Sequence, residues 1–323
     1  METLETLETL LKMARDLSNW GKWGPDDQRG TTNYIGSAAV LRGLQAARRG
    51  RVFNLGIPLG HSGPQTTGVS GRFNPLHYML RTGGDEATGA MVRNYYGGRD
   101  GEVRSLDDVL VLPLQSVTQW DALAHIAHRG VMYNGTPITA VTSWGAERLG
   151  IEQQAQGIVS RGILLDIARL HHQEWLEPGT GIGPEDLDAF LSQAGLTTSP
   201  GDVLLVRTGA MARAKRHGWG DYAGGPAPGL NVACLPWLSQ HEISAVATDT
   251  WGVEVRPSEV EDVPIPFHLV AIAYMGLTLG EIWDLEDLAE SSAEDGQYDG
   301  LLCAPPLPVT GGIGSPLNPL FIK

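Results

Sequence analysis

Short apolar runs and helical patterns alternate along this chain. Apolar runs bounded by glycine or polar residues predict buried strands at 52–57, 109–112, 163–167, 202–208, 245–248, 277–283 and 300–303. Capping residues and apolar periodicity predict helices at 184–194, 232–239, 267–274 and 284–290. Strands that alternate with helices are typical of the α/β class, so we expect a single domain in which helices surround a mixed β-sheet.

The first fifty residues have a different pattern. An amphipathic helix is predicted over 2–17, and a second helix is predicted to end at Gly50. The apolar positions of the first helix are Leu4, Leu7, Leu11, Ala14 and Leu17. We therefore expect a helical extension over 1–50 and the main domain over 51–323. The first helix is expected to pack either on its own domain or on a neighbouring subunit.

Two segments show little periodicity. The segment 60–105 is long and rich in glycine, and loops of this length in a compact domain are usually functional or mobile. We interpret it as a lid or substrate wall, and three of its side chains are expected to reach a ligand: His61, Tyr95 and Tyr96. The segment 304–319 is rich in proline and glycine, which predicts irregular structure.

Polar residues follow the apolar run at 109–112. Side chains alternate between the faces of a strand, so Gln115, Gln119 and Asp121 are expected on one face. His125 comes four residues after Asp121, and one helical turn would return it to the same side. A carboxylate, an imidazole and two amide oxygens at one place suit a hard-cation site or a general acid/base site. A strand edge that faces water is the alternative.

Further candidate residues lie in the last third of the chain. His268 is in the first turn of a predicted helix, whose positive N-terminus is expected to keep the imidazole neutral. A metal ligand or a general base must be neutral in this way. Glu281 lies on the strand predicted over 277–283. Asp249 follows another strand and is expected either to orient a ligand or to be an ordinary turn carboxylate.

Composition narrows the function classes. The chain has 323 residues, a net charge of −14 and an isoelectric point near 5.0, which argues against nucleic-acid binding. No apolar run is long enough to span a bilayer, and the acidic N-terminus does not fit a signal peptide. Cys234 and Cys303 are too few for a disulfide framework or a cysteine-based zinc site. We expect a cytoplasmic protein that acts on a small molecule.

The segment 115–125 resembles the signature of the cyclase family, metal-dependent hydrolases that include bacterial kynurenine formamidase and isatin hydrolase. That signature reads His-x-Gly-Thr-His-x-Asp-x-x-x-His. The positions that match it are Thr118, Asp121 and His125. Gln115 and Gln119 stand where the family has two metal-binding histidines, and Val117 stands where it has glycine.

Other segments between 52 and 288 resemble the same family. The run 201–209 is similar to its Gly-Asp-apolar-Arg-Thr-Gly strand, 162–166 to its middle strand and 53–59 to its opening strand. His268 and Glu281 resemble the late histidine and glutamate that complete the family's site. The resemblance implies a swivelling β/β/α fold, with 51–323 as the catalytic domain.

The resemblance also implies a reaction. Family members use a divalent cation to activate water against a lactone or a cyclic or N-acyl amide. The implied metal ligands are Asp121, His125, His268 and Glu281, with amide oxygens from Gln115 and Gln119. The implied catalytic groups are His125, His268, Glu281 and Asp121. Mn²⁺ or Zn²⁺ is the expected metal, although amide oxygens favour Mn²⁺ or Mg²⁺ over Zn²⁺ or leave the site without metal.

Two alternatives stay open at this point. The same residues suit a cyclase, dehydratase or isomerase that works by acid–base chemistry without metal, with the two glutamines bonded to a substrate carbonyl. A catalytically silent small-molecule binder is the other alternative, with apolar walls that include Trp144. The residues expected to contact a substrate are Trp120, His61, Tyr95, Tyr96 and Trp251. We also expect a homo-oligomer, either a dimer or a tetramer.

Overall fold

The computed structural model describes residues 6–99 and 102–323. The α-helices are α1 Leu7–Asp16, α2 Ser37–Ala46, α3 Gly83–Ala87, α4 Ala90–Tyr95, α5 Ile167–Leu170, α6 Pro184–Ala194, α7 Ala210–His217, α8 Cys234–Gln240, α9 Pro266–His268 and α10 Glu286–Asp295. A π-helix, Leu269–Met275, continues α9, and short 3₁₀ turns include Val69–Gly71. None of the helices formed by these residues is long and apolar enough to cross a bilayer.

The strands are short apart from the central ones. They are β1 Val52–Asn54, β2 Leu76–Met79, β3 Asp108–Val111, β4 Gln119–Asp121, β5 Val141–Thr142, β6 Gly145–Ala146, β7 Val159–Asp166, β8 Gly181–Ile182, β9 Val203–Arg207, β10 Gly229–Leu230, β11 Ala245–Thr248, β12 Thr278–Glu281, β13 Asp299–Cys303, β14 Gly314–Pro316 and β15 Leu320–Ile322.

A nine-stranded mixed sheet forms the centre of the described chain. Its strand order is β1-β15-β13-β7-β9-β11-β12-β4-β14. The four strands β7, β9, β11 and β12 pair in parallel, and their outer neighbours pair antiparallel. Every residue of β9 and β11 is buried, as expected for parallel strands covered on both faces. The mixed α/β domain predicted from the sequence is confirmed.

Two apolar cores lie on opposite faces of this sheet. Along β9, Leu204 and Val206 enter one core, and Val203 and Leu205 enter the other. The first core also takes side chains from α1, α6, α8 and the π-helix, and the second takes side chains from α10. Leu10 and Ala14 of α1 are fully buried in the first core. The first helix therefore packs on its own domain, which is one of the two placements expected for it. Its predicted start lies outside the described residues.

The apolar run at 109–112 does not form a buried strand, so that prediction is wrong. All four residues of β3 are exposed, and β3 pairs with β2 in a two-stranded sheet of its own. We call these two strands the β-arm. The segment 60–105 is also more regular than predicted, because it contains β2, α3 and α4. A capping box between Thr82 and Asp85 begins α3.

The segment 304–319 is only partly irregular. It contributes β14, which pairs with β4 at the edge of the main sheet. Proline is tolerated at an edge because its missing N–H leaves no inner partner unsatisfied. Pro316 therefore ends a strand here, although proline in this segment predicted no strand.

Candidate functional site

Strand β4 positions the central polar residues. It lies between β12 and β14, and Gln119 is paired with Glu281 in the register of β4 and β12. Trp120 points to the other face, where its ring lies 4.8 Å from that of Trp283 and its Nε1 donates to the Ala304 carbonyl. Because side chains alternate, Gln119 and Asp121 share the opposite face.

Three ionisable residues meet on that face. Single ligand atoms of Asp121, His268 and Glu281 all lie within 4.8 Å of one another. His268 Nε2 is 3.1 Å from Glu281 Oε1 and 3.8 Å from Asp121 Oδ2. Gln119 Nε2 donates to Glu281 Oε2 over 2.6 Å. We call Gln119, Asp121, His268 and Glu281 the polar cluster. These residues come from separate parts of the chain, and β4, α9 and β12 bring them together.

Glu254 orients His268 from behind, a role that the sequence reasoning missed. One oxygen of Glu254 is hydrogen-bonded to His268 Nδ1 and to its backbone N–H, and the other accepts the Phe267 N–H over 2.8 Å. The donors are the first N–H groups of α9, which attract a carboxylate. A glutamate shortly before a helix that begins with proline was the available signal. With Nδ1 held in this way, Nε2 faces the other carboxylates.

The cluster changes the protonation of its members. Burial and the neighbouring Glu281 charge raise the pKa of Asp121 to about 8. Burial lowers the pKa of His268, but its hydrogen bonds to Glu254 and Glu281 and the charges of these two carboxylates outweigh that effect and raise the pKa to about 10. The neutral His268 predicted from its helix position is therefore wrong for the protein without a cation. The carboxylates around the ring outweigh the helix terminus.

Three oxygen atoms in the cluster have no hydrogen-bond partner among the described residues. Asp121 Oδ1, Asp121 Oδ2 and Gln119 Oε1 are buried, and none accepts a hydrogen bond within the described part of the chain. Buried polar atoms are nearly always satisfied, so unpaired ones indicate a missing ion, water or ligand. The atoms that remain unpaired here are all oxygens, which suits a hard cation.

His125 reaches the cluster through a turn. The helix predicted after Asp121 is wrong, since the backbone forms a turn in which the His125 N–H donates to the Ala122 carbonyl over 2.9 Å. The turn still returns the ring, and His125 Nε2 lies 3.9 Å from Asp121 Oδ1. Burial and the charge of His268 lower the pKa of His125 to about 4. Its imidazole is therefore neutral at physiological pH.

A cavity of about 830 Å³ opens onto the cluster. His125, His268 and Glu281 form its polar floor. Its side walls include Gln115, Arg72, Trp251 and Arg256. Gln115 lines this cavity although it lies before β4 begins, so its side chain is not placed by strand alternation. Of the residues expected to contact a substrate, Trp251 lies on the wall.

The other expected contact residues lie elsewhere. Trp120 is fully buried in the second core, which conflicts with a substrate wall. His61 is exposed, and Tyr96 is bonded to Ser105 with 3.1 Å between their oxygens; neither lines the cavity. Trp144 is 95% exposed. The Tyr95 side chain lies outside the described part of the structure.

Asp249 stabilises a backbone turn through hydrogen bonds. It accepts hydrogen bonds from Thr208 N, Thr208 Oγ1 and Gly209 N, which fixes the turn after β9. Burial and the charge of Glu286 raise its pKa to about 6. Of the two roles considered for it, the turn carboxylate describes these contacts.

Several solved structures are similar to this chain in fold. A crystal structure described as a novel cyclase is 34% identical, covers 96% of this chain and 99% of its own, and has a TM-score of 0.84. Isatin hydrolase A from Labrenzia aggregata, bound to benzyl benzoate, is 18% identical over 84% of this chain and 94% of its own, with a TM-score of 0.60. The enzyme of that name from Ralstonia solanacearum is 18% identical over 88% of this chain and 95% of its own, also with a TM-score of 0.60.

At 18% identity the two isatin hydrolases show a shared fold and no more. None of the curated protein sequences compared with the chain matches it. The family model named Cyclase matches residues 53–255, which is most of the chain. The resemblance seen in the sequence is thus confirmed, and the chain belongs to the cyclase family.

Proposed function

We propose that this protein is a hydrolase that opens a lactone or a cyclic or N-acyl amide with the help of a divalent metal ion. The observation that carries the proposal is the group of buried, unpartnered oxygens on Asp121 and Gln119 beside His268 and Glu281. A buried carboxylate without a partner costs several kcal/mol unless a cation or a proton neutralises it. The family membership supports the same reaction class.

The donor set fits a hard divalent ion. Asp121, His268 and Glu281 would hold it, and Gln119 Oε1 would add a neutral oxygen. Such a set, with more oxygen than nitrogen, favours Mn²⁺ over Zn²⁺. When bound, the ion would lower the pKa of water and polarise a carbonyl oxygen. His125, 3.9 Å from Asp121, is better placed to handle protons than to complete the ligand set.

His125 is the group that we assign to proton transfer. Its neutral ring at the cavity floor can accept a proton from the attacking water and pass it to the leaving nitrogen or oxygen. Asp121 stabilises the imidazolium formed in between, because its carboxylate lies 3.9 Å away. His268 is less suited to this role since both of its ring nitrogens are engaged, by Glu254 and by Glu281.

Elemental mass spectrometry on protein purified without added metal or chelator tests the proposal. We expect about one Mn or Zn per chain, as the ligand set provides one centre. A panel of lactones, cyclic amides and N-formyl amides is then assayed before and after chelation. Hydrolysis that stops on chelation and returns with Mn²⁺ is the expected result. A metal-free protein that takes up no ion on titration rules the proposal out.

Acid–base chemistry without metal is the second candidate. It is favoured by the closed network in which Gln119 donates to Glu281 and a protonated His268 lies between Glu254 and Glu281. In that network Arg72 Nη1 is 4.0 Å from Glu281 Oε2 and adds another positive charge. A metal-free protein that still cyclises, dehydrates or isomerises a substrate would support this candidate.

A further inference from the structure

We propose that Arg72 and Arg256 form an anion-binding subsite on the cavity wall, and that the substrate carries a carboxylate close to its reacting carbonyl. This inference rests on the proposed function, because it names the class of molecule that the same site takes. Both arginines line the cavity, and both guanidinium groups lie over the ring of Trp251.

A turn over residues 68–72 places Arg72 at the cavity. Gly68 and Gly71 have φ values of 70° and 68°, a conformation that glycine adopts readily, and the Arg72 N–H donates to the Val69 carbonyl over 3.1 Å. The side chain is only 13% exposed, and its Cζ lies 5.1 Å from the centre of the Trp251 ring. A guanidinium on an indole face is held by cation–π attraction and keeps its N–H edge free.

Arg256 approaches the same ring from another part of the chain. Its backbone exchanges two hydrogen bonds with Ala227, of 2.9 and 3.0 Å. Its Nη2 donates to the Gly224 carbonyl over 3.0 Å, and its Cζ lies 5.5 Å from the Trp251 ring. Trp251 Nε1 in turn points to Gln65 Oε1 at 3.4 Å. The two arginines and the indole are therefore a preorganised unit.

The carboxylates near these arginines form their hydrogen bonds with other groups. Glu254 is bonded to His268 and to the Phe267 N–H, and Glu281 is bonded to Gln119 and His268. Arg72 makes no side-chain hydrogen bond within residues 6–99 and 102–323, and its 4.0 Å contact with Glu281 is too long for one. Since a guanidinium has five N–H donors, Arg72 is able to donate to a bound acceptor.

A carboxylate is the group that fits best. The planar fork of arginine matches a planar carboxylate in two parallel hydrogen bonds. A single negative charge is preferred over a double one, because Glu254 and Glu281 border the same cavity. Arg72 is also 4.0 Å from Glu281, so an anion bound there lies next to the polar cluster. The carboxylate is therefore close to the carbonyl that reacts.

The test compares matched substrates. Each lactone or N-formyl amide that the enzyme opens is assayed with a free carboxylate beside the reacting carbonyl and as its neutral carboxamide. We expect kcat/KM to favour the acid by about 10- to 100-fold, the value of one or two charged hydrogen bonds. Arg72→Met and Arg256→Met should each remove most of this preference, mainly through KM, and Arg72→Lys should keep part of it.

The control is Arg216→Met, which removes a surface arginine 2.6 Å from Glu174 and leaves the cavity unchanged. Equal kcat/KM for acid and carboxamide in the wild type would overturn the inference. So would an acid preference that survives in both folded methionine variants.

A binding measurement separates this inference from the proposed function. Benzoate and benzamide are titrated by calorimetry into the wild type and Arg72→Met, which needs no turnover. Preference for benzoate that Arg72→Met loses supports the subsite even when no substrate is hydrolysed. Hydrolysis of neutral amides with equal binding of both probes overturns the subsite and leaves the hydrolase in place.

Discussion

The polar cluster buries ionisable side chains, and the β-arm exposes apolar ones, so both regions differ from the usual distribution of residues in a folded protein. The cluster places carboxylates inside the protein, with Asp121 only 1% exposed. The β-arm places apolar side chains outside, with Tyr78 at 55% and Met79 at 46% exposure. Each arrangement costs free energy in an isolated chain. The cluster is therefore a candidate ion or substrate site, and the β-arm is an exposed apolar surface.

The two regions also differ in how they are supported. Every member of the cluster sits on or beside the main sheet, and Glu254 fixes His268 from behind. The β-arm is a two-stranded ribbon exposed along its whole length. A ribbon of this kind is marginally stable alone in water. The cluster is thus supported by the main sheet, whereas the two strands of the β-arm pair only with each other in the described chain.

The largest expected effect breaks the cluster. Asp121→Asn removes a charge and keeps the volume, so we expect kcat/KM to fall by about 1,000-fold or more, as charge stabilisation worth several kcal/mol is lost. Its melting temperature without metal should stay about the same near neutral pH, because the raised pKa of Asp121 already keeps that side chain neutral when no ion is bound. Asp16→Asn on α1, an exposed aspartate, is the control for the substitution itself. Wild-type rates in Asp121→Asn would contradict the assignment.

The next effect concerns pH. The pKa values of about 8 for Asp121 and about 10 for His268 mean that both are protonated near neutral pH without an ion. A bound ion must displace these protons, so Mn²⁺ affinity should rise with pH by about tenfold per unit for each proton released. Calorimetry in two buffers of different ionisation enthalpy counts those protons. Affinity that does not change between about pH 6 and about pH 8 would show that neither residue is a ligand.

A smaller effect is expected when the Gln119 amide is replaced, and it tests whether that amide contacts the ion. Gln119→His replaces a neutral oxygen donor in the polar cluster by an imidazole, and it should raise Zn²⁺ affinity by about tenfold relative to Mn²⁺. Competition between the two ions, read by elemental analysis after dialysis, measures the change. Gln154→His is the control, since Gln154 is buried and bonded to Thr278 and does not line the cavity. An unchanged Zn²⁺ to Mn²⁺ ratio would mean that Gln119 does not contact the ion.

The smallest effect on catalysis is expected in the β-arm. Tyr78 and Val109 are paired across its two strands. Changing both to lysine should reduce the mass measured by light scattering to that of a monomer, with little change in melting temperature. This follows if the predicted homo-oligomer forms by burying the β-arms of two copies against each other. A wild-type protein that is already monomeric would make that prediction wrong.

Some of this could be predicted from the sequence because the relevant pattern is local. Strand alternation places Gln119 and Asp121 together, and parallel buried strands produce the apolar runs around Leu204 and Val246. Other features depend on distant partners. The protonation of His268 depends on Glu254 and Glu281, and the exposure of 109–111 follows from their pairing with β2 instead of the main sheet. These contacts join separate segments of the chain, so strand alternation and apolar periodicity do not predict them.

The position of β4 has a consequence for how the protein forms. Its neighbours in the sheet, β12 and β14, come much later in the chain, and Gln119 is 162 residues from the Glu281 to which it donates. Contacts of such long range close late in folding, because the loop entropy must be lost first. A nascent chain therefore holds Asp121 and Trp120 unpaired while most of the protein is made. The polar cluster is therefore complete only after β12 and β14 have been made and have paired with β4. A mutation that slows the pairing of β14 would delay the formation of the site, although β14 contributes no residue to the polar cluster.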